Sequence, residues 1–352
     1  MITARLTAFN LPLTRPLPLQ GGLLQERAGI LICLTDPSGE VGHGEATPWN
    51  PRDLRAVCQA LHQVFPELAD LHPGESSLAD LPWADHPAAR FALEGAWLDL
   101  QSKRQGVSLQ QHLGRPTPAS GVALNAFIPH VAPAEAARLA LLYAEEGYRT
   151  IKVKIGRPSF RDDLAVLRSI RSVVPPTLRL RADVNGGWSA ADALKNLQQM
   201  ETLDLEYVEQ PVASVHAMAR LRRESPIPLA ADESLTGVEA IGPLLEQSAA
   251  DRWILKPMRF GGFREIEEAL VGARSAGIPV TLTGMFEGAV ATATLLHLAA
   301  AWLPPDTVCG LTPGLFSGAV NVHLPAPQQG VWPVPAGPGI GVAPHDEEKA
   351  CA

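Results

Sequence analysis

Residues 150–155 read Thr-Ile-Lys-Val-Lys-Ile, residues 178–183 read Leu-Arg-Leu-Arg-Ala-Asp and residues 207–209 read Tyr-Val-Glu. Each is a short apolar run that ends near a charged side chain, and the pattern continues at Leu229–Asp232, Trp253–Lys256 and Val280–Thr283. Between or before these strand candidates lie stretches of helical spacing at Pro133–Glu146, Arg161–Val174, Ala190–Leu203 and Phe263–Ala276. Alternation of this kind predicts a parallel sheet. The last polar residues of the strands, Lys154, Asp183, Glu209, Asp232, Lys256 and Thr283, follow at intervals of 29, 26, 23, 24 and 27 residues. A βα unit of a closed barrel takes about 30 residues. An open doubly wound sheet would also alternate, but it binds at one crevice behind a Gly-rich first turn, and no GxGxxG follows a strand here. A closed barrel gathers every strand C-terminus round one mouth and would bring the six side chains together.

Outward from this core the character changes. Residues 1–50 look β-rich, with an apolar run at Ile30–Thr35, a turn at Asp36–Gly39 and a return strand at Val41–Ala46. From Pro51 to about Leu113 the pattern is helical, most clearly at Ala88–Leu100. The expected organisation is an α+β unit over residues 1–115 and a barrel over 116–319. Of the 352 residues, 46% are apolar and 19% charged, a composition that supports a large core. Formal charge is 29 − 37 = −8, which argues against a nucleic-acid partner. Cys33, Cys58, Cys309 and Cys351 form no CxxC and no zinc spacing, as expected in a reducing compartment. The N-terminal stretch carries charge and proline inside its apolar run, unlike a signal peptide. The apolar run Gly288–Leu303 reads as a buried helix rather than a membrane span. A cytoplasmic protein with no membrane partner is expected, and nothing in the sequence bears against a homo-oligomer.

Three carboxylates in one mouth repel: at about 4 Å and an effective dielectric near 20, each pair costs about 4 kcal/mol. A cation makes the cluster of Asp183, Glu209 and Asp232 tolerable. All-oxygen donors suit Mg²⁺, with Mn²⁺ able to substitute, better than zinc. Lys152 and Lys154 share one face of their strand because the side-chain period is two. Two lysines inside a barrel are costly unless paired or functional. Lys256 stands about half the ring away. A dication that binds a substrate carboxylate, with a lysine of depressed pKa as base, supports proton abstraction α to that carboxylate. A Lys or His base with Mg²⁺ is the pattern of enolase-superfamily sites.

The chain resembles the enolase superfamily over nearly its whole length. The resemblance rests on Lys152-Val-Lys154, Asp183-Val-Asn-Gly-Gly-Trp188, Val208-Glu-Gln-Pro211, Ala231-Asp-Glu-Ser234, Ile254-Leu-Lys-Pro257 and Gly261-Gly262. It implies the fold class α/β, a (β/α)7β TIM-like barrel with an N-terminal α+β capping domain that also takes in C-terminal chain, about 320–352. It implies metal ligation by Asp183, Glu209 and Asp232, with Lys154 as acid/base and Lys256 on the opposite face. Lys152 would lower the pKa of Lys154 and contact the substrate carboxylate. Asn185 and Glu233 would support the ligands, as ligating carboxylates need, with Asn185 also near the substrate. Gly284 and Met285 would line the substrate site. A cap loop at Leu17–Glu26, with small residues at Gln20-Gly-Gly22, would cover the mouth.

Within the superfamily, Arg27–Thr35, Val41–Glu45, Pro48, Val122–Asn125, Tyr148–Lys152, Ala301-Trp-Leu-Pro304 and Gly310-Leu311 are similar to o-succinylbenzoate synthases of the muconate-lactonizing-enzyme-like subgroup. Those carbon–oxygen lyases dehydrate a cyclohexadiene carboxylate, SHCHC, in menaquinone synthesis. The implied mechanism is syn: Lys154 removes the α-proton and returns it to the departing hydroxyl. The segment Thr283-Gly-Met-Phe-Glu287 is closer to the branch that includes N-acylamino-acid racemases, which use one lysine per face. Thr281-Leu-Thr283 lacks the Asp-x-Asp typical of dipeptide epimerases. His43 and His297 read as a strand residue and a buried helical residue. A non-catalytic barrel would have lost some of these groups, and a Schiff-base aldolase would not need the carboxylates.

Overall fold

The protein is described from a computed structural model, which covers residues 1–19, 22–68, 78, 86–316, 322 and 324–344. The chain begins with an antiparallel sheet of β1 (Thr3–Leu19), β2 (Gly22–Thr35) and β3 (Val41–Ala46). The helix Pro87–Gln105 packs across it, and two glycines allow the close approach. A Cβ on Gly42 would lie 2.1 Å from the carbonyl oxygen of Ala96, and one on Gly44 would lie 1.9 Å from that of Ala92. The spacing of two in β3 thus builds a smooth strip on which the helix backbone rests.

The barrel follows. The run β4 (Gly121–Leu124) and β5 (Ala126–Ile128) is interrupted only at Asn125. Then come β6 (Thr150–Lys154), β7 (Arg179–Asp183), β8 (Leu205–Glu209), β9 (Leu229–Ala231), β10 (Arg252–Leu255) and β11 (Val280–Leu282), with β5 to β11 parallel and in chain order. Closure comes from β12 (Val308–Cys309), which pairs in parallel with β4. Gly310 N–H donates to the Leu282 carbonyl at 2.9 Å, and Gly284 N–H to that of Gly310 at 3.1 Å. Counting β4–β5 as one strand, eight strands close the ring and seven helical connections surround it, the (β/α)7β arrangement. Strand and helix ends differ from the sequence expectation by a few residues, because the last polar residue of several strands already belongs to the following loop.

Ile151, Val153 and Ile155 point outward into the main apolar core, so Lys152 and Lys154 point inward. Tyr207, Ala230 and Ile254 form a small apolar cluster within the ring. The buried Arg181 guanidinium lies 5.0 Å from the Tyr207 ring centroid and bonds Glu206 at 2.7 Å. Glu206 reaches it because the β7–β8 register shifts between Leu180 and Arg181.

The N-terminal sheet is fastened to the barrel mouth by acids at helix N-termini. Glu45 of β3 accepts from Gly288 N–H at 2.6 Å and Ala291 N–H at 3.1 Å, where the helix Ala289–Trp302 begins. Glu94 accepts from Phe263 N–H at 2.7 Å, the start of the helix Phe263–Ser275. Burial raises both carboxyls, so their contribution here is that of hydrogen bonds, about 0.5–1.5 kcal/mol each. Arg27 of β2 donates to the carbonyls of Trp49 at 2.9 Å and Phe286 at 3.3 Å, tying sheet to barrel. The C-terminal chain touches both units. Its strand β13 (Val331–Pro333) pairs with β4, and Ile340 N–H donates to Asp99 at 2.8 Å. His43 lies buried in β3, and His297 is buried in the helix Ala289–Trp302. Among the described residues no helix is long and apolar enough to cross a membrane.

Candidate active site

Asp183 and Glu209 end the neighbouring strands β7 and β8 and are paired in register, while Asp232 follows β9. Lys154 ends β6 and is paired in register with Asp183. All are buried. Lys152 Nζ stands 2.7 Å from Glu209 and 3.0 Å from Asp183, and Lys154 Nζ is 3.2 Å from Asp183. Lys256 donates to Asp232, whose other oxygen lies 3.3 Å from Arg259. Lys152, Lys154, Asp183, Asn185, Glu233, Lys256, Gly284 and Met285 line one cavity of about 400 Å³. Glu209 and Asp232 adjoin it through the lysines they hold. Every site residue expected from the sequence therefore lies in or directly against a single cavity.

The charges are unevenly balanced. Burial would raise the Asp183 carboxyl, but Lys152 and Lys154 hold it well below the usual carboxylate range. Asp232 is likewise lowered against burial by Lys256 and Arg259. Glu209 shares only Lys152; burial and the neighbouring Asp183 push its carboxyl up to about 8. For Lys152, burial would lower the ammonium, but Asp183 and Glu209 raise it well above its ordinary value. Positive charge is thus short at Glu209, whose Oε2 is buried without a hydrogen-bond partner.

Among the described residues no three His, Cys, Asp or Glu side chains converge on a single coordination point, since lysines interpose between the acids. The donor set nevertheless fits a hard dication. It comprises three carboxylates at successive strand ends, with oxygens only and one buried oxygen lacking a partner.

Loop geometry supports the acids. Asn185, at φ 48°, donates from Nδ2 to Glu233 at 2.6 Å, and its backbone N–H donates to Asp183 at 3.1 Å. Gln210, at φ 38°, accepts on Oε1 from the backbone N–H groups of Asp232 at 3.0 Å and Ser234 at 3.2 Å. A non-glycine residue held there costs on the order of 1–3 kcal/mol, and the surrounding bonds offset it. The sequence reading passed over this role of Gln210, and over Arg259. It also missed an aromatic wall: Phe286 lies 6.4 Å from Trp49 and 6.2 Å from Phe127 between ring centroids, and all three line the cavity. Arg27 is the signal that marks this wall, a guanidinium among apolar strand residues. Leu19 also lines the cavity, while Gln20 and Gly21, at the tip of the expected cap loop, lie outside the described residues.

Glu287 shapes the same wall. Both its oxygens accept from Met285 N–H at 2.7 Å. Burial pushes its carboxyl from 4.5 up to about 7, against the pull of Met285 N–H and Arg27. The folded protein therefore binds the proton more tightly than the unfolded chain, so stability falls as pH rises from 4.5 to 7. Glu287→Gln cannot ionise. Relative to wild type, its urea-unfolding free energy is expected to improve by at most about 3 kcal/mol across that window. Parallel pH curves for the two proteins would count against this.

Comparison with known proteins agrees with the geometry. Residues 134–349 match the family model described as enolase C-terminal domain-like. The chain belongs to the enolase superfamily and has the fold of an enzyme of that group. The chain is 38% identical to an N-succinylamino acid racemase from Thermus thermophilus, over 74% of this chain and 70% of that one. It is 37% identical to an o-succinylbenzoate synthase from Thermobifida fusca, over 63% and 69%. A dipeptide epimerase from Cytophaga hutchinsonii, complexed with Mg and the dipeptide D-Ala-L-Val, superimposes with a TM-score of 0.85 over 98% of this chain and 96% of that one. At 23% identity this last likeness speaks to the fold alone.

Proposed function

We propose that the protein is a Mg²⁺-dependent o-succinylbenzoate synthase that dehydrates SHCHC to 2-succinylbenzoate in menaquinone synthesis. The observation that carries the chemistry, removal of a proton α to a carboxylate, is that Lys154 on β6 and Lys256 just after β10 both line the cavity bordered by Asp183, Glu209 and Asp232. The choice of the synthase is supported by the likeness of Arg27–Thr35, Val41–Glu45 and Val122–Asn125 to o-succinylbenzoate synthases. Those three carboxylates would hold the ion, and Mn²⁺ has the same donor preference. When bound, the ion supplies positive charge against the substrate carboxylate as negative charge builds there. Lys154 takes the α-proton and delivers it to the leaving hydroxyl, which departs as water. Lys256 stays an ammonium and balances charge from the other side. Asn185 and Glu233 orient the ligand loops, and Gly284 and Met285 bound the space for the ring. We divide the chain into a cap of residues 1–115 and a barrel of 116–319; counting the tail to the cap is supported by the bond from Ile340 to Asp99, although its strand β13 pairs with β4 of the barrel. Among the described residues, thiols at Cys58 and Cys309 support a cytoplasmic setting.

A second reading, N-succinylamino-acid racemase, is favoured by the presence of two lysines on the cavity, since 1,1-proton transfer needs one per face. The decisive assay follows loss of diene absorbance from SHCHC with Mg²⁺, and α-deuterium exchange of N-succinyl amino acids in D₂O. Dehydration is expected. Exchange without dehydration would replace the lyase by the racemase, leaving Lys154 as a base and making Lys256 the proton-transfer group of the other face.

A further inference from the structure

Asn125 sits at the break between β4 and β5, is 5% exposed and lines the cavity. Its backbone N–H donates to the Cys309 carbonyl at 2.9 Å, so the residue is fixed in the ring. Its Oδ1 accepts from Arg181 Nη1 at 3.1 Å. A guanidinium has donors only, so the amide oxygen must face Arg181 and the amino group must face away. Arg181 cannot easily turn: it is 1% exposed, bonds Glu206 at 2.7 Å and the Val308 carbonyl at 3.0 Å, and lies over Tyr207. The amino group has two hydrogens, and one long bond of 3.3 Å to the Ala126 carbonyl uses only one of them. The cations of the cavity are engaged with Asp183, Glu209 and Asp232, and Asn185 and Glu233 bond each other. Thr283, Gly284 and Gly310 line the same cavity, and a Cβ on Gly310 would lie 2.7 Å from Thr283 Oγ1, so the wall there is closely packed.

We propose that Asn125 is a specificity-determining residue whose amino group donates to an acceptor oxygen on the substrate arm remote from the reacting carboxylate. Arg181 is a positioning residue that fixes which end of the amide faces the cavity. The site then favours a distal carboxylate or carbonyl and disfavours a distal ammonium, which would meet an N–H. This rests on the reading of the cavity as a carboxylate-substrate site.

The test compares two arms of equal length. For exchange, the pair is N-succinyl- and N-pentanoyl-phenylglycine, compared as kcat/KM. For binding, it is 2-succinylbenzoate and 2-pentanoylbenzoate, compared as Kd by calorimetry on the Mg²⁺-loaded protein. Wild type is expected to prefer the acid arm. In Asn125→Ala that preference falls about tenfold or more. In Asn125→Asp, which keeps the shape and the Arg181 contact, it falls further. Arg181→Met lowers the preference several-fold, mainly through KM. A preference within twofold of wild type in Asn125→Ala overturns the proposal, even if Asn125→Asp loses it through charge repulsion. Equal loss on both arms in Arg181→Met overturns the positioning role. A wild type that neither exchanges nor dehydrates refutes the catalytic reading alone, because the Kd ratio still decides Asn125. Failure to bind either benzoate overturns the proposal itself.

Discussion

Replacing Lys154 by alanine is expected to lower kcat by about 10³-fold, within the range a positioned general base supplies. Two readouts separate this from misfolding or metal loss. Lys152 remains 3.0 Å from Asp183, so the three carboxylates keep their arrangement and the Mg²⁺-induced rise in melting temperature should persist. α-Proton exchange in D₂O should vanish together with turnover, because both need the same proton acceptor. A variant that keeps a tenth or more of wild-type activity would remove Lys154 from the role of base. Lys256→Ala provides the contrast: in a syn dehydration it costs charge stabilisation alone, whereas in a racemase it abolishes proton transfer on one face.

Glu209→Gln is expected to have an effect of similar size by another route. Glu209 holds the carboxylate oxygen that is buried without a partner and the carboxyl that burial and Asp183 push up to about 8. An amide there keeps the volume and removes one negative charge. Activity at saturating substrate should fall by two to three orders of magnitude, and added Mg²⁺ should no longer raise the melting temperature. Treatment of wild type with EDTA should give the same loss, reversed by Mg²⁺. Full activity in EDTA-treated wild type, or an unaltered Mg²⁺ shift in Glu209→Gln, would exclude the carboxylates as an ion site.

The barrel was legible because each βα unit repeats a local pattern, an apolar run with a charged end, that survives without tertiary context. The inward pair Lys152 and Lys154 followed from period two alone. The parts that escaped are set by long-range geometry. Closure depends on β12, only two residues long, and on carbonyl contacts of Gly310. Gln210 acts because its backbone adopts φ 38°, which no composition signals. Arg259 carries no signal in the sequence, and only the turn after Lys256 brings it to Asp232. Glu45 and Glu94 look like ordinary acids, and their role exists only where another unit offers a helix start.

Those two acids, with Arg27, limit how the substrate can get in. Swinging the whole N-terminal layer aside like a door would break the bonds that Gly288, Ala291 and Phe263 give to Glu45 and Glu94 and the bond from Arg27 to Phe286, at a cost of about 0.5–3 kcal/mol each. The rim residues Leu19 and Trp49 line the cavity without taking part in those side-chain anchors, so they are the part of the layer that can change most cheaply. Selection among incoming acids is thereby handed to a small threshold that can diverge by point substitution, leaving the proton-transfer apparatus beneath it undisturbed.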